Sequence, residues 1–254
     1  MPRSNPTAAV LIIGNEILTG RTQDSNLKLI SLRLFPAGIN LVEARVVPDV
    51  PDAIIAAVNA LREAYDYIFT TGGIGPTHDD ITAECIAAAF GLPLIEHAEA
   101  RQRLLQYYGS ENLTVARLRM ARTPEGAELI SNPISAAPGF RIGNVIVMAG
   151  IPSIMSAMLD EAVAGIQGGP AYLSRTVSGK VPESIIADEL TLLAKKYADC
   201  DIGSYPWFRH GAYGLSLVVR GTNPQHLVAA MSDLLALMRR HDSTSQEEGT
   251  EIVP

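Results

Sequence analysis

Cysteine is scarce in this chain. Its two residues, Cys85 and Cys200, stand far apart and in no metal-ligand spacing. They fit reduced thiols of a cytoplasmic protein better than a disulfide framework. No apolar run reaches the roughly 18 residues of a membrane-spanning helix, so no membrane partner is expected. Lys and Arg form no cluster: Arg117, Arg119 and Arg122 are spaced along a predicted helix, and the net charge is −7. That balance argues against a nucleic-acid partner, whose phosphates must be neutralised by grouped cations. The first residues, MPRSNPT, hold one arginine and lead into a strand, so no signal peptide is read there. A Gly-x-Ser-x-Gly elbow, a Cys–His pair near a motif and a Gly-x-Gly-x-x-Gly fingerprint are all missing. Acyl transfer and nicotinamide chemistry therefore find no support. There is no internal repeat.

What is present is 254 residues, 47% hydrophobic and 19% charged, enough for one large or two ordinary domains with ample core. The organising stretch is IFTTGGIGPTHDDITAE, residues 68–84. Tyr67, Ile68 and Phe69 run into Thr70-Thr71 as a buried strand. Gly72, Gly73, Gly75 and Pro76 make a tight turn, and a helical pattern begins at Ile81. Strand, glycine turn and helix start together gather backbone N–H groups around an anion. Asp79 and Asp80 beside such a nest would repel a phosphate unless a divalent cation sits between. The pattern points to a metal-assisted phosphate site; the plainer alternative is a turn with one aspartate as a helix cap.

Residues 8–13 form a continuous apolar run, as in a strand buried on both faces. It ends in GNEILTGRT, which approaches a P-loop but is one residue too long and has Arg21 for the lysine. A helix follows with Leu27, Ile30 and Leu34 on one face, then a strand over 40–47 ending at Pro48-Asp49. A helix bearing Ile54, Val58 and Leu61 leads back to the central strand. Alternation at this pace predicts a parallel sheet wrapped by helices, with ligands beyond the carboxyl ends of its strands. Glu16, Asp49, Asp79 and Asp80 all follow strand ends and should meet on one rim. Helical segments are read at 84–90, 98–108 and 114–121, with His97 as a helix-start residue. Gly143-Asn144 predicts a hairpin turn between strands 140–142 and 145–148, and a helix runs from Pro152 to about residue 164. Gln167-Gly168-Gly169-Pro170 reads as a linker. Beyond it a β-α-β-β-α order predicts a small α+β domain over 171–241, with Trp207-Phe208-Arg209-His210 as an aromatic loop. Residues 242–254 read as a disordered tail.

GNEILTG, Val47-Pro48-Asp49, TGGIGPTHDD, NPISAAPGF and Gly150-Ile151-Pro152-Ser153 occur in that order. Together they resemble the N-terminal region of CinA (competence-damage-inducible protein A), within the molybdopterin-binding MoaB/MogA-like superfamily and related to FAD-synthase N-terminal domains. The resemblance implies a three-layer α/β/α domain with a mostly parallel sheet over 1–167, with the small α+β domain after it. It implies a cytoplasmic homo-oligomer acting on a nucleotide or pterin phosphate. Glu16, Asp49, Asp79 and Asp80 match positions of the family's site and are read as catalytic, with Asp79 and Asp80 as the metal ligands. Asn26, Gly72, Gly73 and Gly75 match its ligand-binding positions, and Thr71, Thr77, Gly139 and Gly150 are read with them. The implied cofactors are a divalent metal (Mg, Mn or Co), with potassium. His78, Ser135, Ala149 and Ile154 depart from the pattern, which has lysine, glycine, proline and glutamate there. The segment past the linker is expected to be too short for the amidase domain of full-length CinA.

The leading expectation is a metal-dependent nucleotide diphosphatase for ADP-ribose or a similar dinucleotide such as FAD. The alternatives are a molybdopterin-binding or molybdopterin-adenylylating protein, and a non-catalytic binding module on the same fold. If the glycine turn is a phosphate nest, a methyl group at Gly73 is expected to weaken ligand binding more than stability.

Overall fold

The computed structural model describes residues 5–209 and 211–248. The chain divides into two compact units between Gly169 and Pro170. In the first, β1 (Thr7–Ile13), α1 (Asn15–Leu18), α2 (Asn26–Leu34), β2 (Asn40–Val47), α3 (Pro51–Ala64) and β3 (Tyr67–Thr71) follow in order. Next come α4 (Thr82–Phe90), β4 (Leu94–Glu96), α5 (Ala98–Tyr108), α6 (Val115–Leu118), β5 (Arg122–Pro124) and β6 (Glu128–Ile130). β7 (Gly139–Ile142), β8 (Val145–Met148) and α7 (Pro152–Ala164) complete the unit. Six strands make one sheet in the order β2-β1-β3-β8-β7-β6. β2, β1, β3 and β8 are parallel, while β7 and β6 pair antiparallel at one side. β4 and β5 form a separate antiparallel ribbon.

The apolar run of β1 explains the layering. Ala9, Leu11 and Ile13 sit in one core with Ile54, Val58 and Leu61 of α3 and Cys85 and Ile86 of α4. Ala8, Val10 and Ile12 sit in the other with Ile30 and Leu34 of α2 and Met155, Met158 and Leu159 of α7. A strand covered on both faces has no polar side to write into its sequence. Burial pushes the Cys85 thiol up to about 11, so this residue is core material and no nucleophile.

The second unit holds β9 (Leu173–Gly179), α8 (Glu183–Lys196), β10 (Asp201–Arg209), β11 (Ala212–Gly221), α9 (Pro224–His241) and β12 (Gln246–Glu248). Its antiparallel sheet has the order β10-β11-β9-β12. Leu215, Leu217 and Val219 meet Leu227, Met231, Leu234 and Met238 of α9 in its core. Two sequence expectations are corrected here. Trp207, Phe208 and Arg209 belong to β10, paired with Gly214, Tyr213 and Ala212, and are no loop; His210 lies outside the described residues. The tail read from 242 onward also contributes a strand, since Gln246–Glu248 pairs with β9. The reason is that edge pairing needs main-chain bonds and one good charge pair more than apolar area. Arg175 supplies the pair, gripping the Glu247 carboxylate at 2.6 and 2.8 Å. Residues 249–254 lie outside the described residues. Among the described residues no helix is long and apolar enough to cross a membrane.

The linker glycines are fastened to the first unit. Gly169 N–H donates to the Gly38 carbonyl at 3.2 Å, and Tyr67 Oη holds both the N–H and the carbonyl of Gln167. A chain ending at Gly169 should therefore be soluble and melt cooperatively, because both of its cores are complete without the second unit. A melting curve on that fragment tests this; a fragment that only aggregates refutes it.

Candidate functional site

The strand that follows β1 lies on one side of it in the sheet, and every later strand of the sheet lies on the other. A crevice at such a reversal is where open α/β sheets take their ligands. Here it is a cleft of about 620 Å³. Glu16 reaches it from the turn after β1, Asp49 from the turn after β2, and Asp79 and Asp80 from the turn after β3. Gly72, Gly73, Gly75 and Thr77 line it as well, and Gly150 joins them from the end of β8. Among the described residues its lining holds four carboxylates and no lysine, arginine or histidine.

The glycine turn divides its labour. Gly72 N–H is used inside the fold, donating to the Met148 carbonyl at 3.2 Å. Among the described residues, the N–H groups of Gly73, Ile74 and Gly75 are paired with no chain acceptor. Gly72 has φ +102°, and a Cβ there would overlap the Ile13 carbonyl oxygen, while a Cβ on Gly150 would fall 3.2 Å from Gly72 Cα. Gly73 has φ +67°, and its Cβ would overlap Thr82 Oγ1. That hydroxyl is buried and donates to the Gly72 carbonyl at 2.9 Å. The direction in which a Gly73 methyl would point is thus inward, toward Thr82, and the expectation that it would chiefly disturb a ligand is corrected.

Asp80 Oδ2 accepts from Thr77 N–H at 2.8 Å and Thr77 Oγ1 at 2.5 Å, closing the turn. The Asp79 carboxyl is held below the usual carboxylate range by the Thr77 side chain first and then by its own backbone N–H, with smaller help from His78 and Arg119. Thr77 has one hydroxyl hydrogen, which lies on Asp80, so the two carboxylates compete for it. Asp49 Oδ2 accepts from Asn15 N–H at 2.8 Å. The Glu16 carboxylate folds over Gly14, where a Cβ would stand 2.6 Å from both its oxygens. Among the described residues neither Glu16 oxygen is paired with a donor of the chain.

Asn26 and Thr71 line a smaller pocket of about 60 Å³ that shares Glu16, Gly72 and Gly150 with the cleft. Asn26 is buried and donates through Nδ2 to the Gly150 carbonyl at 2.8 Å. Its Oδ1, and Thr71 Oγ1, are buried with no partner among the described residues. Gly139 lines neither cavity. It lies in β7, where a Cβ would overlap the Val147 carbonyl of β8, so it is a packing glycine. His78 is outside the lining with its side chain 96% exposed. The cation near the aspartates is Arg119, whose Nη2 donates to the Asp80 carbonyl at 3.4 Å across 39 positions of sequence. Nothing in its local sequence marks it.

A divalent cation fits this donor set in one way. Among the described residues no three Asp, Glu, His or Cys side chains converge as a ready-made metal shell. The cleft does offer separated carboxylates beside open N–H groups, which suits an ion bound by one or two carboxylates and completed by ligand phosphates and water.

Residues 9–167 match the family described as "Probable molybdopterin binding domain", and residues 171–247 match "FAD synthase, middle domain". A protein of Archaeoglobus fulgidus is 33% identical over 197 residues, covering 78% of this chain and 84% of that one. A "Probable FAD synthase" of Caenorhabditis elegans is 30% identical over 261 residues, 92% of this chain and 50% of the relative. A "CinA-like protein" of Citrifermentans bemidjiense is 41% identical over 161 residues, 61% of this chain and 39% of the relative. This chain thus spans half or less of the length of those two named relatives. The crystal structure of CinA from Thermoplasma acidophilum superposes with a TM-score of 0.57 at 37% identity, covering 61% of this chain and 94% of that one. The chain belongs to the molybdopterin-binding domain family, in its CinA-like branch.

Proposed function

We propose that the cleft binds the diphosphate of a nucleotide such as ADP-ribose or FAD and hydrolyses it in the presence of a divalent cation. One observation carries the reading: Gly73, Ile74 and Gly75, whose N–H groups have no chain acceptor among the described residues, line a cleft whose described charged side chains are all carboxylates. The N–H groups suit an anion, and the carboxylates would repel that anion without a cation between them. Asp79 and Asp80 would hold the cation. When bound, it supplies charge neutralisation for the diphosphate and a more acidic water.

The chain's own residues do the rest. The N–H groups of Gly73, Ile74 and Gly75 hold a non-bridging phosphate oxygen as charge grows on it. The water oxygen bonds to phosphorus, the bridging P–O bond breaks, and the bridging oxygen leaves on the second phosphate. Glu16 takes the water's proton, since its oxygens have no chain donor whereas Asp49 has one oxygen engaged by Asn15. The unpaired Asn26 Oδ1 and Thr71 Oγ1 are uncharged oxygen donors of the kind potassium takes. The family match over residues 9–167 favours a second reading, in which the same N–H groups receive a pterin phosphate.

Incubation with ADP-ribose and with FAD, each with magnesium, manganese or cobalt, should release AMP, read by chromatography. Absence of AMP under every condition, with tight binding of a pterin phosphate, would leave the second reading in its place. Absence of both would reduce the domain to a binding module for some other ligand.

A further inference from the structure

The loop joining β6 to β7 brings Asn132, Ser135 and Ala137 into the lining of the cleft. Asn132 is 6% exposed, and its amide is fully engaged. Its Oδ1 accepts from the N–H groups of Ile134 at 3.0 Å and Ser135 at 3.2 Å. Its Nδ2 donates to the Ala137 carbonyl at 2.8 Å and to Ser135 Oγ at 2.6 Å. A backbone N–H can only donate and a carbonyl can only accept, so these partners fix which end of the amide is nitrogen. Ser135 Oγ is therefore the acceptor in its bond with Asn132. Its own hydrogen must point elsewhere, and among the described residues no chain acceptor takes it.

The loop is held from outside as well. Ser131 N–H donates to Glu161 of α7 at 3.1 Å, and Tyr107 Oη of α5 donates to the Ile134 carbonyl at 3.3 Å. Ala136 follows Ser135 with φ +59°, a left-handed conformation disfavoured for any residue with a Cβ. Such a conformation persists where its surroundings over-determine it, and it is found at ligand clamps. Ser135 is thus half-buried, oriented by a buried amide, and left with one hydrogen to give.

We propose that Ser135 is a ligand-binding donor of this cleft, giving its hydroxyl hydrogen to a phosphate oxygen of the bound molecule. The inference rests on the phosphate-binding reading above and adds a side-chain donor to the N–H groups of the glycine turn. A neutral donor suits the place. It draws a phosphate oxygen into a lining of four carboxylates without pairing with them and taking them from a cation. The loop is ordered before the ligand arrives, so no ordering is required on binding.

The test uses the full chain with Ser135→Ala and Ser135→Thr, read by melting temperature and by calorimetric titration with ADP-ribose, ADP and inorganic pyrophosphate, each with magnesium. The Ala variant should bind these probes about 10- to 100-fold more weakly, the span of one hydrogen bond to a charged group, and should melt below the parent because one Asn132 N–H loses its acceptor. The Thr variant, which keeps the hydroxyl, should recover most of the affinity. An Ala variant that binds as tightly as the parent overturns the role of Ser135 and leaves the site reading standing. So does a Thr variant that recovers the melting temperature without the affinity, because the hydroxyl then only builds the loop. A parent that binds none of the three probes overturns both inferences together.

Discussion

Asp80→Asn should lower metal-dependent AMP release by at least the roughly 10- to 100-fold that loss of even an outer partner costs at a metal site. Its melting temperature should stay with the parent. The reason lies in what Asp80 does twice over. Its Oδ2 closes the glycine turn by accepting both the N–H and the hydroxyl of Thr77, while its charge faces the cleft. Asparagine keeps an oxygen for Thr77 and gives up the charge. Asp80→Ala gives up both, so its melting temperature should fall as well. Comparing the two variants divides charge from turn closure; a parent-like rate in the Asn variant would remove Asp80 from any role in holding a cation.

Gly73→Ala should destabilise the fold by about 2–5 kcal/mol in urea denaturation. A left-handed backbone disfavours a residue with a Cβ by roughly 1–2 kcal/mol, and Gly73 has φ +67°. The new methyl would also displace Thr82 Oγ1 from the Gly72 carbonyl. A buried acceptor left without its donor adds about 1–3 kcal/mol. Affinity should change less, because the Gly73 N–H survives the substitution and the methyl faces the core. An Ala variant as stable as the parent, with binding lost, would return the methyl direction to the ligand side.

Where one face of an element is buried, or both, the sequence is a good guide. The limits of β2 and α5 coincide with the periodic segments 40–47 and 98–108, and the apolar run of β1 needs both cores to explain it. β4, β5 and β6 have three residues each, too few to display any period. β12 is polar and is held by pairing with a strand about 70 positions earlier. The gathering of Glu16, Asp49, Asp79 and Asp80 follows from strand ends sharing one rim, which alternation alone predicts. The side-chain directions do not follow from it. Motif membership could not tell that Gly139 packs against β8 while Gly73 leans on Thr82. Nor could it tell that Gly72 has spent its N–H on Met148, since that bond joins two strands whose pairing is settled only in three dimensions.

Gly72 has one more consequence. It is pressed between the Ile13 carbonyl on one side and Gly150 on the other, so the ends of β1, β3 and β8 meet on a single residue with no side chain. Any substituent there would have to drive neighbouring strands apart, and sheet integrity and the depth of the cleft would fail together. Variation in what the cleft accepts therefore falls to lining positions that carry a side chain, such as Ser135, Ile151 and Ile154. Retargeting this scaffold to a different ligand should begin at those positions and leave Gly72 alone.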